Sequence, residues 1–264
     1  MQNKILHGDC LELLKDIPDG SMDLILTDPP YGVLQCKWDT VIPLDKLWEQ
    51  YKRVIRPDGA IVVFAAQPFT SALIMSSPKM YKYCWIWQKE QGSNFFAAKF
   101  QPMNNTEDIA VFGFGGINNG TKLPLRYFPQ GVRKVNTVRK NSKTTGGLAG
   151  AAHNTSMKPG QEFVQEFENY PTKILQYKRD KGVKGETLIA TQKPVALLEY
   201  LIRTYTLKGE TVLDSCAGSG STAIACIRTG RNYVMMEKDE NHFNTIRKRV
   251  QTEMLENRRK GEKK

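Results

Sequence analysis

The hydrophobic positions of this chain form short apolar runs that alternate with segments of helical spacing. Leu24 to Thr27 and Ala60 to Ala66 are almost continuously apolar, which is typical of strands buried on both faces of a parallel sheet. Cys10 to Ile17 and Leu44 to Ile55 carry apolar residues at helical spacing. Further strand candidates are Ile5 to His7, Trp85 to Trp87 and Ile109 to Phe112. Alternating strands and helices predict an α/β fold with a mostly parallel sheet.

The same pattern returns in the C-terminal part of the chain. Val195 to Thr204 predicts a helix with Pro194 in its first turn. Thr211 to Leu213 and Tyr233 to Met236 predict strands, and Thr222 to Arg228 predicts the helix between them. The α/β pattern therefore comes in two blocks.

The stretch between the blocks, from Gly113 to about Thr191, has little periodicity and is rich in Gly, Asn, Thr and Pro. A long segment without secondary structure in a compact domain is usually functional or disordered, and the glycines and alanines over 146–152 predict a mobile loop. Ile109 to Gln161 contains no Asp or Glu. This one-sided charge predicts phosphate contacts, and a solvated flexible insertion is the alternative. The candidate phosphate ligands are Lys122, Arg126, Arg133, Lys134, Arg139, Lys140 and Lys143.

Composition narrows the class of protein. The net charge of +11 over 264 residues favours a polyanionic partner such as nucleic acid. Five scattered cysteines without a Cys-x-x-Cys pair argue against a disulfide framework and a structural zinc site. Three histidines without a His-x-x-x-His pair give no reason to expect a catalytic metal. No signal peptide or membrane span is recognisable, so we expect a reducing intracellular compartment.

The tetrapeptide Asp28-Pro29-Pro30-Tyr31 directly follows the first apolar run. It should therefore lie at the carboxyl end of a strand, where open α/β sheets bind ligands. Pro29 and Pro30 have no N–H and offer only carbonyl acceptors, and Pro30 restrains Pro29 to an extended conformation. A carboxylate, a fixed carbonyl and an aromatic ring together suit a planar group that carries an NH2. An ordinary proline-rich turn is the alternative for this tetrapeptide alone.

A second candidate site lies in the C-terminal block. A glycine-rich turn, Asp214 to Ser221, separates a strand from a helix, and Glu237 ends the next strand. Glycines let the backbone approach a nucleoside, and an acid about twenty residues on can hold ribose hydroxyls. The turn lacks the third glycine of the dinucleotide fingerprint and the lysine of a P-loop, so S-adenosylmethionine fits better than a pyrophosphate ligand. A plain tight turn remains the alternative. The two candidate sites together indicate methyl transfer to an exocyclic amine.

These motifs, in this order, resemble the circularly permuted (β-class) DNA amino-methyltransferases, the N6-adenine/N4-cytosine family. In that family the Asp/Ser-Pro-Pro-Tyr half precedes the cofactor half, and target recognition lies between them. The resemblance implies a Rossmann-like, S-adenosylmethionine-dependent methyltransferase fold with circularly permuted motif order. It divides the chain into a catalytic half (1–114), an inserted target-recognition region with a basic flexible loop (115–190) and a cofactor-binding half (191–264).

The resemblance also extends to single residues. The family's Gly-Asp is matched by Gly8-Asp9-Cys10, which implies that Asp9 lies near the cofactor adenine, and its Lys-Pro is matched by Lys193-Pro194. The family's Asp-x-Phe-x-Gly-x-Gly turn is matched by Asp214 to Gly220, with Cys216 in place of the aromatic residue. The implied catalytic residues are Asp28, Pro29, Pro30 and Tyr31. The implied cofactor-binding residues are Asp9, Cys10, Lys193, Asp214, Ala217, Gly218, Gly220, Ser221 and Glu237.

Asp rather than Ser at position 28 resembles the adenine-specific members. The resemblance thus implies transfer of a methyl group from S-adenosylmethionine to N6 of a flipped-out adenine in double-stranded DNA. Methylation of N4 of cytosine, methylation of RNA adenine, and a catalytically inactive DNA-binding relative remain alternatives. A cognate restriction endonuclease and a homodimer are open as partners, and no membrane partner is expected. The expected location is the cytoplasm, in the bacterial nucleoid or a phage-infected cell.

Overall fold

The structure is a computed structural model, and it describes residues 2–32, 39–140, 160–180 and 192–261. It consists of two compact units, Met1–Phe128 with Lys173–Lys264, and Pro129–Thr172. No helix within the described ranges has the length and apolar character that crossing a membrane requires.

The described part of the chain contains ten strands and six α-helices. The strands are β1 Lys4–His7, β2 Met22–Thr27, β3 Ile55–Ala65, β4 Tyr81–Ser93, β5 Asn104–Phe112, β6 Arg133–Lys140, β7 Glu162–Glu168, β8 Ile174–Gln176, β9 Thr211–Asp214 and β10 Asn232–Glu237. The helices are α1 Cys10–Leu13, α2 Leu44–Val54, α3 Phe69–Ser76, α4 Val195–Tyr205, α5 Ser221–Thr229 and α6 Glu240–Gly261.

Eight strands of the larger unit form one sheet in the order β1-β10-β9-β2-β3-β5-β4-β8. All neighbours are parallel except β5, which is antiparallel to both β3 and β4. The predicted α/β fold with a mostly parallel sheet is confirmed. Strands β9 and β10 of the C-terminal block lie between β1 and β2 of the N-terminal block, so distant parts of the chain complete one sheet. This is the arrangement that a circularly permuted motif order requires.

Helices cover both faces of this sheet. Leu24 and Leu26 of β2 pack in a buried cluster with residues of α4, α5 and α6. Ile25 points to the opposite face and packs in a second cluster with residues of α2 and α3, because successive side chains of a strand alternate between faces. Both faces of β2 are therefore shielded from solvent, which explains its continuous apolar run.

Three strands differ from the sequence-based prediction. The segment 56–59, which separates the predicted helical segment Leu44 to Ile55 from the predicted strand Ala60 to Ala66, is included in β3. There the register jumps from Met22 opposite Ile55 to Leu24 opposite Ala60. The segment thus forms a bulge within the strand. Strands β4 and β5 are longer than predicted because they pair as an antiparallel hairpin whose outer residues are exposed and polar. Such residues leave no apolar run in the sequence.

The prediction that Gly113 to Thr191 lacks secondary structure is wrong for the described residues. Strands β6 and β7 pair antiparallel within the smaller unit, and β8 adds to the main sheet beside β4. Nearly every residue of β6 is exposed, so the strand has no apolar face that periodicity could detect. The smaller unit, 129–172, covers a shorter part of the chain than the predicted insertion, 115–190. The predicted mobile loop over 146–152 lies outside the described residues.

Candidate active site

Asp28 follows β2 at the carboxyl edge of the sheet, and both of its carboxylate oxygens have hydrogen-bond donors. The Tyr31 hydroxyl donates to Oδ1 at 2.5 Å, and the Lys193 ammonium donates to Oδ2 at 2.5 Å. Pro29 is buried beside it. The Asp28 carboxylate is thus held from two directions, while each oxygen retains a second lone pair for another donor.

The Asp28–Tyr31 loop is fixed by a residue that the sequence did not identify. The backbone N–H groups of Tyr31 and Gly32 donate to Oδ1 of Asp39 at 2.8 and 2.9 Å. The Tyr31 ring lies nearly parallel to the ring of Phe69, with centroids 5.3 Å apart. The position of Tyr31 therefore depends on a buried carboxylate and an aromatic neighbour.

Lys193 lies against Asp28 and also contacts a second carboxylate, Glu107. Its Nζ is 3.2 Å from Oε2 of Glu107, and Oε1 of Glu107 is 2.5 Å from Nζ of Lys89. Glu107 is in β5 and Lys89 is in β4, and these two antiparallel strands bring the pair to the edge where β2 ends. The four groups form an alternating chain of charges, Asp28–Lys193–Glu107–Lys89. Sequence reasoning missed Glu107 and Lys89, and it assigned Lys193 to the cofactor alone.

The ionisation of these groups reflects burial and mutual contact. Burial raises the pKa of Asp28, and Lys193 opposes that rise. Burial also acts to raise the pKa of Glu107, but Lys193 and Lys89 outweigh it and hold the pKa below its ordinary value. Burial acts to lower the pKa of Lys193, but Asp28 and Glu107 raise it above its ordinary value. Lys193 thus favours the charged form of both carboxylates, and both carboxylates favour the charged form of Lys193.

The glycine-rich turn follows β9, the neighbour of β2 in the sheet. Asp214 ends β9 and accepts hydrogen bonds from the Cys216 N–H at 3.1 Å and the Thr222 hydroxyl at 2.6 Å. Burial raises the pKa of Asp214 to about 6. Gly220 has φ +80°, and a Cβ there would lie 2.8 Å from Cγ2 of Ile246. Only glycine meets both the dihedral angle and the close approach at that position.

Glu237, at the end of β10, faces the same turn. Its Oε2 accepts from the Gly218 N–H at 2.7 Å and its Oε1 accepts from the Asp239 N–H at 2.8 Å. His7 of β1 is the register partner of Glu237, so Asp9 begins the loop beside it. The Asp9 carboxylate accepts from the Leu11 N–H at 3.0 Å and from Lys238 at 3.0 Å. Two exposed or half-buried carboxylates therefore flank the turn.

These residues fit a nucleoside-containing cofactor. A Cβ built on Gly218, which has φ +51°, would meet no atom within 4 Å, so open space lies over the turn. Ala217 and Ser221 are buried in the turn itself. At the position where the resemblance implies an aromatic residue, Cys216 interacts with the thiol of Cys10, which lowers the pKa of Cys10 and raises the pKa of Cys216.

The predicted phosphate ligands fall into different environments. Arg133, Lys134, Arg139 and Lys140 are exposed on β6, and Lys122 is exposed in the larger unit. Arg126 is different: its side chain is 13% exposed, and its Nη1 lies 2.6 Å from Oε1 of Glu210. Asp23 and Asp58 also lie within 4 Å of it. Arg126 is therefore paired with carboxylates of the larger unit, unlike the exposed candidates, and its assignment to phosphate stays a prediction. Lys143 lies outside the described residues.

Comparisons with known proteins identify the class of protein to which this Rossmann-like fold belongs. The family model described as DNA methylase (N6_N4_Mtase) matches residues 22–248. The chain is 27% identical over 272 residues to the type II methyltransferase M.HinfI of Haemophilus influenzae, covering 94% of this chain and 68% of that protein.

Two solved structures share the fold. The M1.HpyAVI–SAM complex matches with a TM-score of 0.61 at 21% identity, covering 94% of this chain and 98% of that chain. The PvuII DNA methyltransferase, described as cytosine-N4-specific, matches with a TM-score of 0.64 at 17% identity, covering 93% and 85%. The chain belongs to the N6/N4 DNA methylase family, and it is a DNA methyltransferase.

Proposed function

We propose that this enzyme transfers a methyl group from S-adenosylmethionine to the N6 amine of a flipped-out adenine in double-stranded DNA. The observation that carries the proposal is the adjacency of the two sites. β2 and β9 are parallel neighbours, so the Asp28 loop and the glycine-rich turn emerge side by side at one edge of the sheet. This adjacency supports an amine acceptor beside a nucleoside site.

When bound, S-adenosylmethionine supplies an electrophilic methyl group. Glu237 would hold its ribose hydroxyls and Asp9 its adenine, while Gly218 lets the backbone approach. Similarity to the M1.HpyAVI–SAM complex supports this choice of cofactor. The described residues therefore offer polar groups for the nucleoside on both sides of the turn.

Asp28 would prepare the amine for attack. The lone pair of adenine N6 is delocalised into the ring, so the free amine is a poor nucleophile. The Asp28 carboxylate and the Pro29 carbonyl would accept its two hydrogens, which draws the nitrogen towards tetrahedral geometry. The negative charge of Asp28 also stabilises the positive charge that develops on N6.

An adenine inside a duplex cannot reach the Asp28 loop, so the base must leave the stack at a cost of a few kcal/mol. Stacking on Tyr31 would offset part of that cost. Because the Tyr31 hydroxyl contacts Oδ1 of Asp28, entry of the amine would give that oxygen a second donor. Aspartate at position 28 is what supports adenine over cytosine, through the family resemblance.

Product identification tests the proposal directly. The enzyme is incubated with tritiated S-adenosylmethionine and unmethylated duplex DNA, matched RNA or no substrate, and the nucleosides are separated by chromatography. Label in N6-methyladenine from DNA is the expected result. Label in N4-methylcytosine would overturn the assignment of adenine as the target base. Label in RNA alone would overturn the assignment of DNA as the substrate.

We further propose that the exposed basic residues of β6 contact DNA phosphates. Arg133 and Lys140 lie opposite Glu168 and Glu162 across the hairpin, at 3.0 and 3.4 Å. Such exposed ion pairs contribute little to stability, so both basic side chains can exchange their carboxylate partners for DNA phosphates. Strand β6 therefore presents a row of positive charge.

Replacing Lys134 and Arg139 together by Gln should weaken DNA binding and flatten its salt dependence. Each phosphate contact contributes about −0.9 to the slope of log K against log salt, so two lost contacts should make the slope less negative by about 2. Binding is measured by fluorescence anisotropy across a salt series. Lys46 and Lys52, exposed on α2, provide the matched control pair. Equal slopes in both double variants would show that β6 is not part of the DNA-binding surface.

We also propose two protein partners. Similarity to a type II methyltransferase supports a restriction endonuclease that recognises the same DNA sequence. A homodimer is the assembly to test by light scattering. Such an enzyme would act on DNA in the bacterial cytoplasm, at the nucleoid or in a phage-infected cell.

A further inference from the structure

The candidate active site contains a buried cation, Lys193, that has no role in the methyl transfer described above. Lys193 is 8% exposed at its side chain, and its Nζ contacts Asp28 at 2.5 Å and Glu107 at 3.2 Å. The same ammonium lies 5.1 Å from the ring centroid of Phe64 and 5.9 Å from that of Tyr31. Within the part of the chain that the structure describes, the polar partners of this side chain are the two carboxylates, not groups of the glycine-rich turn.

The electrostatic balance of the pocket depends on Lys193. Asp28 and Glu107 are two acids held near each other in a poorly solvated site, and each would disfavour the charge of the other. Lys89 compensates Glu107 from the far side, at 2.5 Å, but it is not a partner of Asp28. Lys193 is the group that joins the two carboxylates and compensates both.

We propose that Lys193 is a positioning residue for methyl transfer, which keeps Asp28 ionised and oriented, and that Glu107 and Lys89 hold Lys193 in place. This inference rests on the proposed role of Asp28 as the amine acceptor. A protonated Asp28 would present an O–H donor and lose part of its capacity to accept hydrogen bonds. Lys193 therefore controls the fraction of enzyme that is ready to receive the amine.

The other groups around Asp28 shift its pKa in both directions. Glu107 raises the pKa of Asp28 and Tyr31 lowers it, whereas burial is the largest influence. Asp214, on the neighbouring strand, and Asp28 disfavour each other's charge. Asp39 reaches the loop through the backbone of Tyr31. Lys193 is thus the principal group that opposes protonation of Asp28.

The test combines Lys193→Met with Glu107→Gln and a surface control. Lys193→Met should move the acid limb of kcat/KM upward by roughly one to three pH units, the shift that an adjacent opposite charge produces. Activity should therefore recover as the pH rises. Glu107→Gln removes the repulsion on Asp28, while Lys193 keeps its 2.5 Å contact with Asp28, so the limb should move downward. Lys178→Met, which breaks an exposed pair with Glu90, should leave the limb in place.

Two readouts keep this inference separate from the proposed function. The Asp28 carboxyl pKa is followed by carbon-13 NMR, assigned by the signal lost in Asp28→Ala, and should rise in Lys193→Met whether or not the wild-type enzyme methylates adenine. Cofactor affinity, measured by calorimetry, should be unchanged. A weakened cofactor affinity with an unshifted Asp28 titration would indicate that Lys193 binds the cofactor, and it would overturn the inference. A uniform loss of activity at every pH would equally overturn it.

Discussion

Replacing Asp28 by Ala should lower the rate of methyl transfer by roughly 10²–10⁴-fold, the range seen when one preorganised electrostatic contact or acid–base group is removed. The variant keeps Pro29 and Tyr31 but lacks the charged acceptor, so the amine lone pair stays delocalised into the base. Transfer of tritium to duplex DNA under saturating substrate measures the loss. The effect should appear in kcat rather than in KM, because the interaction is strongest in the transition state.

The fold of Asp28→Ala should survive because the local charges can still pair. Lys193 retains Glu107 at 3.2 Å, so no lone buried cation results. Cofactor affinity should stay at the wild-type value, since the glycine-rich turn is untouched. Asp45→Ala, at an exposed carboxylate in the first turn of α2, is the matched control and should retain full activity. Wild-type turnover in Asp28→Ala would refute the role of this carboxylate.

The elements that carry both sites could be predicted because their sequence signals are local. β2 is buried on both faces and leaves an apolar run, and proline residues mark the loop that follows it. Gly220 has a positive φ, and because glycine is the residue that adopts such a conformation readily, the glycine-rich sequence itself indicates the turn. Periodicity and turn chemistry were sufficient at these positions.

The charge chain beyond Asp28 could not be predicted because it depends on strand direction and register. Glu107 precedes an apolar run, and in a parallel strand that position would lie at the opposite edge from Asp28. β5 is antiparallel to β3, with Ala65 opposite Asp108, and this reversal brings Glu107 to the active edge. No local pattern distinguishes the two directions.

Charge alone was likewise insufficient to separate phosphate ligands from structural ion pairs. Arg126 lies in the same acid-free stretch as Arg133, yet its partners come from outside that stretch. Glu210 and Asp23 are distant in sequence and adjacent in the fold. Counting acids within a window therefore misses the acids that the topology supplies.

Replacing Glu237 by Ala should weaken S-adenosylmethionine binding by roughly 100-fold or more. Hydrogen bonds to a charged group contribute about 1.5–3 kcal/mol each, and every 1.4 kcal/mol is tenfold in affinity, so two ribose contacts account for this loss. Calorimetry measures the dissociation constant. Glu240→Ala, an acid in the first turn of α6, is the control and should bind the cofactor normally.

Glu237 also supports the turn, since it accepts from the Gly218 and Asp239 N–H groups, and a cofactor analogue separates the two effects. Removing the ribose 2′-hydroxyl should weaken binding to the wild-type enzyme. The same analogue should bind Glu237→Ala no worse than the natural cofactor does, because the partner of that hydroxyl is already gone. If the hydroxyl contributes equally in both proteins, Glu237 acts only on the backbone of the turn, and the ribose contact must be assigned to another residue.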